Sequence, residues 1–132
     1  MNNPQLTCGV DLVKIERFQK LNPAIQARFI QRVYTAAEIK LCDHREERLA
    51  GRFAAKEAVA KALGCGIGPV HWQDIEITAD EQSQPQLVLH GLAAETAHSL
   101  GLSLWSISIT HTQEYAMAFV VAAGNSPDDH SG

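Results

Sequence analysis

Apolar positions along this 132-residue chain recur with two different periods, one of strands and one of helices. Over residues 5–12 they alternate, setting Leu6, Cys8, Val10 and Leu12 on one side of a predicted strand and Thr7, Gly9 and Asp11 on the other. Leu49, Phe53, Ala60 and Leu63 instead share one flank of a helix whose second half, residues 52–64, is rich in strong helix formers. That long helix is predicted to begin near Asp43 or His44 and to stop at Gly64, the residue type usual just past a helix end. On a wheel of about 100° per residue, Glu57 lies about 40° and Lys61 about 80° from Phe53, so Glu57 sits at the edge of the buried stripe.

Shorter elements fill the rest. A helix is predicted over residues 12–20, with Asp11 either its N-cap or a ligand held on the small polar face of the strand. Gly9, inside the strand, marks a close approach to the backbone. Asn22 and Pro23 open a helix carrying Arg28, Phe29 and Arg32, and Thr35 followed by Glu38 has the capping-box form, opening a helix through about Cys42. Residues 64–69 form a glycine-rich turn. A phosphate loop belongs at a helix N-terminus, so this position reads as a turn and not as an anion cradle.

The second half is strand-rich. Residues 74–78 alternate Ile75 and Ile77 with Glu76 and Thr78, residues 85–90 make another strand, and 91–100 a helix. Residues 104–111 place Trp105, Ile107 and Ile109 opposite Ser106, Ser108 and Thr110, and a short hairpin joins them to a buried strand over 115–123. The pattern predicts an α+β domain over residues 1–123, an antiparallel sheet with one long and several short helices packed on one side, and a disordered tail over 124–132.

Composition narrows the classes. A 45% hydrophobic content supports one core. No apolar run is long enough for a bilayer and the N-terminus lacks the pattern of a signal peptide, which predicts a cytoplasmic protein with no membrane partner. Cys8, Cys42 and Cys65 are odd in number and irregularly spaced, as expected of reduced thiols and not of a disulfide framework or zinc site.

The net charge of −4 divides unevenly: all 11 Lys and Arg lie at or before Lys61, and the rest of the chain carries only acids. The first half therefore offers either solvated helix faces or a basic surface for phosphates or an acidic protein. Arg45, Arg48, Arg52 and Lys56 fall at helical spacing on it. The acidic pI of about 5.8 and the lack of interleaved aromatics exclude a nucleic-acid partner. Glu57 and Lys61 are either a helix-stabilising i,i+4 pair or part of a site.

Three motifs decide between these readings. Gly9-Val10-Asp11, then Phe53-x-x-Lys56-Glu57-Ala58-x-x-Lys61 preceded by Arg52, then Ser108-Ile109-Thr110-His111-Thr112 resemble the signatures of the holo-[acyl-carrier-protein] synthases, the short branch of the 4'-phosphopantetheinyl transferases. The resemblance covers residues 6–123. It implies Mg²⁺-dependent transfer of phosphopantetheine from coenzyme A to a serine of apo acyl carrier protein, releasing adenosine 3',5'-bisphosphate, in fatty-acid biosynthesis. By the same resemblance Asp11 and Glu57 hold the metal, and Glu57 or a metal-bound water activates the serine. Lys61 grips the phosphates, with Gly64 and Thr112 also at the coenzyme, and Arg52 and His111 lie near the 3'-phosphate. Arg17, Arg28 and Arg32 meet the acidic carrier, with Phe29 free for an apolar contact, and the family's habit implies a homotrimer with the coenzyme in a cleft between neighbours.

Two positions depart from the pattern. Val13 stands where larger relatives carry another acid, and Cys65 where many members have a small hydroxyl residue. Two other readings remain at this level: the same chemistry on a polyketide or peptide synthase carrier, and a non-catalytic module binding an acidic carrier or a nucleotide. The module would keep the basic half without needing both Asp11 and Glu57.

Overall fold

The computed structural model describes residues 3–19 and 22–126. Its first strand, β1 (Pro4–Lys14), leads into a single helical turn, α1 (Glu16–Gln19), then α2 (Pro23–Val33), α3 (Ala36–Cys42) and the long α4 (Glu46–Ala62). After the turn come β2 (Ile75–Ala79), β3 (Pro85–Leu89), α5 (Gly91–Leu100), β4 (Leu102–His111) and β5 (Tyr115–Asn125). β1, β5 and β4 form an antiparallel sheet in that order, while β2 and β3 form a separate two-stranded ladder, so the one sheet expected from the sequence is two. α4 packs against both, touching β1, β5 and β4 on one side and β2 on another. The fold is α+β, as expected.

Which face of β1 turns inward follows from the size of its residues. Gly9 is buried, and a Cβ there would lie 1.9 Å from the carbonyl oxygen of Ala58, so only glycine lets α4 cross this closely. The facing surfaces are small: Ala54, Ala55, Ala58 and Ala62 are buried on α4, and Ala116, Ala118 and Ala122 on β5. The apolar face of β1 is turned out instead, with Leu6 75% and Leu12 59% exposed. Leu104, Met117 and Phe119 on β4 and β5 are exposed as well.

Several boundaries differ from expectation. β1 continues through Lys14, so the helix expected from residue 12 begins only at Glu16, and Asp11 is a mid-strand residue paired with Ala118 and caps nothing. α4 begins at Glu46 because Asp43 and His44 both take left-handed conformations, with φ of 48° and 60°, and break the helix that would otherwise continue from α3. β5 extends two residues past the expected end, to Asn125, and Ser126 after it donates its amide to the Asn3 carbonyl at 2.9 Å; the rest of the expected disordered tail, residues 127–132, lies outside the described residues. The capping box at Thr35 and Glu38 is formed as read from the sequence.

Candidate active site

Asp11, Glu57 and Lys61 come together where β1 crosses the second half of α4. Lys61 Nζ donates to the carbonyl of Val10 at 2.9 Å and to Asp11 Oδ1 at 3.2 Å, so it is a strand-to-helix contact and not the helix-surface partner of Glu57 that the i,i+4 reading expects. Glu57 is half-buried, and among the described residues its carboxylate receives no hydrogen bond. Burial first, and the Asp11 charge second, push its carboxyl above the ordinary range, while Lys61 and Arg17 pull the other way. Two carboxylates that repel each other, with Lys61 and Arg17 the cations acting on Glu57, form a place that a further cation would stabilise. Val13 is buried and contributes no oxygen.

Arg52 and His111 meet on a different side of α4. They line a cavity of about 400 Å³ with Arg45, Glu47, Arg48, Ser83 and Pro85, three arginines against one acid, and Arg52 is steadied by donating from Nε to the carbonyl of Ile77 at 3.1 Å. Arg45 and Arg48 were legible as part of a basic stripe, but nothing in the sequence aimed them at His111. Five residues separate Arg52 from Glu57, about 140° around the helix, so the two clusters open in different directions. Thr112 is a hairpin residue whose Oγ1 accepts from the amides of Glu114 and Tyr115, at 3.2 and 3.1 Å. Gly64 follows the helix at φ 78° with open space where a side chain would be. Cys65 Sγ lies 3.9 Å from the carbonyl of Ala60.

The fourth member of the expected basic stripe is not on the surface. Lys56 is 0% exposed and is paired at 2.7 Å with Glu38, also 0% exposed. It donates further to the carbonyls of Trp72 and Ile75 and lies 5.9 Å from the centre of the Tyr34 ring. Burial pulls the ammonium's pKa down, and the Glu38 charge and hydrogen bond oppose that. Sequence spacing pointed the wrong way here because a lysine is read as solvated unless its partner is known.

Of the expected carrier-docking residues, Arg17, Arg28 and Arg32 are exposed. Phe29 is half-buried: its ring packs 5.7 Å from those of Phe18 and Phe53 and 6.3 Å from Tyr34, against the core, with part of it left exposed. The large apolar residue that α2 exposes is Ile25, 55% exposed. Arg17 lies 5.7 Å above the Phe53 ring, beside Glu57, closer to the acidic cluster than its place after the strand suggested.

The chain as a whole matches known proteins. The family model described as the 4'-phosphopantetheinyl transferase superfamily matches residues 7–120, most of the chain. The chain belongs to this superfamily. Among curated members of the phosphopantetheinyl transferases, the holo-[acyl-carrier-protein] synthase of Herpetosiphon aurantiacus is 43% identical over 126 residues, covering 90% of this chain and 99% of that protein. That of Koribacter versatilis is 41% identical, covering 88% and 96%. The crystal structure of the Helicobacter pylori holo-[acyl-carrier-protein] synthase in complex with coenzyme A superposes with a TM-score of 0.79 at 34% identity, covering 87% of this chain and 98% of that one. The chain is thus a transferase by family, and its α+β architecture is that of the phosphopantetheinyl transferases.

Proposed function

We propose that this protein moves the 4'-phosphopantetheine group of coenzyme A to a serine hydroxyl of apo acyl carrier protein, releases adenosine 3',5'-bisphosphate, and does so for fatty-acid biosynthesis in the cytoplasm. The observation that carries this is the convergence of Asp11, Glu57 and Lys61 from distant parts of the chain onto one crossing, in a protein that shares its fold with a coenzyme A-bound relative. Phosphoryl transfer asks mainly for positioning and charge neutralisation.

Asp11 and Glu57 suit Mg²⁺, which takes one or two carboxylates and completes its octahedron with phosphate and water oxygens. When bound, the ion supplies charge stabilisation on the pyrophosphate. Lys61, half-exposed beside Asp11, adds a compact cation that can leave Asp11 for a phosphate. Arg52 and His111 hold the 3'-phosphate, with Gly64 and Thr112 at the edges of the coenzyme.

Because the Arg52 and Asp11 clusters open on different sides of α4, one coenzyme is served by Arg52 and His111 of one protomer and Asp11, Glu57 and Lys61 of its neighbour. The exposed apolar residues of the three-stranded sheet, Leu6, Val10, Leu12, Leu104, Met117 and Phe119, support a homotrimer closed through that face. Among the described residues no helix is long and apolar enough to cross a membrane.

The test is incubation with coenzyme A, Mg²⁺ and a panel of apo carrier proteins. A phosphopantetheinyl mass gain on a fatty-acid carrier, abolished by a chelator, is expected. No gain on any carrier overturns the proposal, and a gain confined to polyketide or peptide carriers overturns its fatty-acid part. Sedimentation as a monomer at assay concentration overturns the trimer.

A further inference from the structure

Lys56 and Glu38 lie inside the molecule, touch neither cluster of the proposed site, and are paired where apolar residues would serve stability equally well. Removing two charges from water is costly, and apolar replacements of such pairs are often neutral or stabilising. A different role follows from what surrounds them.

The buried residues of α4 are glycine and alanine except for Leu49, Phe53, Lys56 and Val59. They face a sheet whose buried β5 positions are Ala116, Ala118, Val120 and Ala122. An interface of methyl groups on methyl groups has shallow ridges and grooves. It holds a helix down without fixing how far the helix turns about its axis, since hydrophobic burial is non-directional. The neighbouring residue Glu57 is the one whose direction matters, and a rotation of α4 by a few tens of degrees swings its carboxylate away from Asp11.

Direction comes from polar and aromatic contacts: Arg52 to the Ile77 carbonyl and Lys61 to the Val10 carbonyl, the Phe53 ring stacked 4.9 Å from that of Trp72, and, sealed from water, Lys56. Its ammonium is held by three acceptors outside α4: Glu38 Oε1 on α3 at 2.7 Å, the Ile75 carbonyl at the start of β2, and the Trp72 carbonyl in the turn before it at 3.1 Å. Glu38 is itself fixed, accepting from the amide of Thr35 at 2.9 Å and of Ile77 at 2.8 Å. All three Lys56 protons are used, so turning α4 in either direction breaks a buried hydrogen bond. On the opposite flank the Gly9 contact with the Ala58 carbonyl sets the distance between α4 and β1.

We propose that Lys56 and Glu38 are positioning residues: their buried pair sets the rotation of α4 and thereby aims Glu57 at Asp11. This rests on the reading of Asp11 and Glu57 as the metal ligands. The test is the double variant Lys56→Met with Glu38→Gln, which removes both charges at similar volume. Mn²⁺ is titrated into the folded trimer with coenzyme A and no carrier, free Mn²⁺ being read by electron paramagnetic resonance, with Glu57→Gln as control.

The variant is expected to melt cooperatively, to bind Mn²⁺ about tenfold or more weakly, as loss of an outer-shell support does, and to lose kcat while its KM for the carrier stays within about twofold. Unchanged Mn²⁺ affinity in a folded variant overturns the proposal. If the double variant does not fold, Glu38→Gln alone, which keeps the shape of the site, is read the same way; failure of both to fold overturns the proposal too, since the pair is then needed for stability itself. Wild-type protein that binds no Mn²⁺, or Glu57→Gln protein that binds it equally well, refutes the metal-site reading and not only the aiming role.

Discussion

Lys56 and Glu57 are neighbours on one helix and live in opposite circumstances. Lys56 is sealed from water with every proton accepted, so its network is complete and has nothing to offer a ligand. Glu57 stands half-open beside Asp11, pushed toward protonation by burial and by a like charge, with no hydrogen bond from the described residues. The closed network is the one proposed to hold the helix in place; the open one keeps two carboxylates close, which is what the proposed metal would meet.

The largest effect should come from the open cluster. Asp11→Ala or Glu57→Gln is expected to lower the transfer rate by at least about 100-fold, since even outer-shell losses at metal sites reach that size, with circular dichroism and melting behaviour retained. Turnover near wild type at saturating Mg²⁺ would remove these residues from the site.

Next comes the contact that joins the two strands of the comparison. Gly9→Val puts a side chain where the Ala58 carbonyl already is, 1.9 Å from the new Cβ. Urea unfolding is expected to show a loss of about 1–3 kcal/mol, the usual cost of overpacking, together with weaker activity as β1 moves off α4. A variant as stable as wild type would mean that the close crossing is not a constraint.

The basic surface gives an intermediate effect. Arg28→Glu and Arg17→Glu should each raise the KM for the carrier about tenfold, and the wild-type KM should climb between about 0.05 and 0.5 M salt as the Debye length falls from about 14 to about 4 Å. The two variants then separate: Arg28→Glu leaves kcat alone, whereas Arg17→Glu also lowers it, because Arg17 lies on Phe53 beside Glu57. Equal kcat in both would divorce Arg17 from the acidic cluster.

The smallest effect is on stability. Glu57 has a raised folded-state pKa, so its ionisation opposes folding: the cost is absent at a pH below the unfolded value near 4.5 and grows as pH rises through the folded value. Metal-free Glu57→Gln protein should therefore melt about 2 °C higher than wild type at neutral pH, a modest figure because the group is partly solvated, and no higher at pH 4. A gain that persists at pH 4 would have some other origin.

Much of this was readable from the sequence where the cause is local. Thr35 and Glu38 announce a helix start because their bonds close within one turn, and Gly9 announces a close crossing because nothing else fits. Alternation found the strands. Where the cause is distant, local rules misled: Asp11 looks like an N-cap until β5 claims its backbone, and the left-handed pair Asp43–His44 cannot be inferred from residues that sit equally well in a helix. Lys56 reads as solvated because its partner is on another helix. Phe29 reads as wholly available, whereas its ring is half-buried against aromatic neighbours from other segments. Asp11, Glu57 and Lys61 were singled out by motif, and only the fold shows that Lys61 bonds to the strand and not to Glu57.

The pairing of β1 with β5 has a consequence for how the molecule comes off the ribosome. Pro4 pairs with Asn125 and Lys14 with Tyr115, so the strand that carries Asp11 waits for nearly the whole chain before it acquires its hydrogen-bonded neighbour. Contacts this distant in sequence close slowly. A nascent chain arrested before Tyr115 has left the exit tunnel is expected to leave β1 open to protease, and release of β5 to protect it in one step; protection of β1 in the arrested chain would show that α4 alone can dock the strand during synthesis.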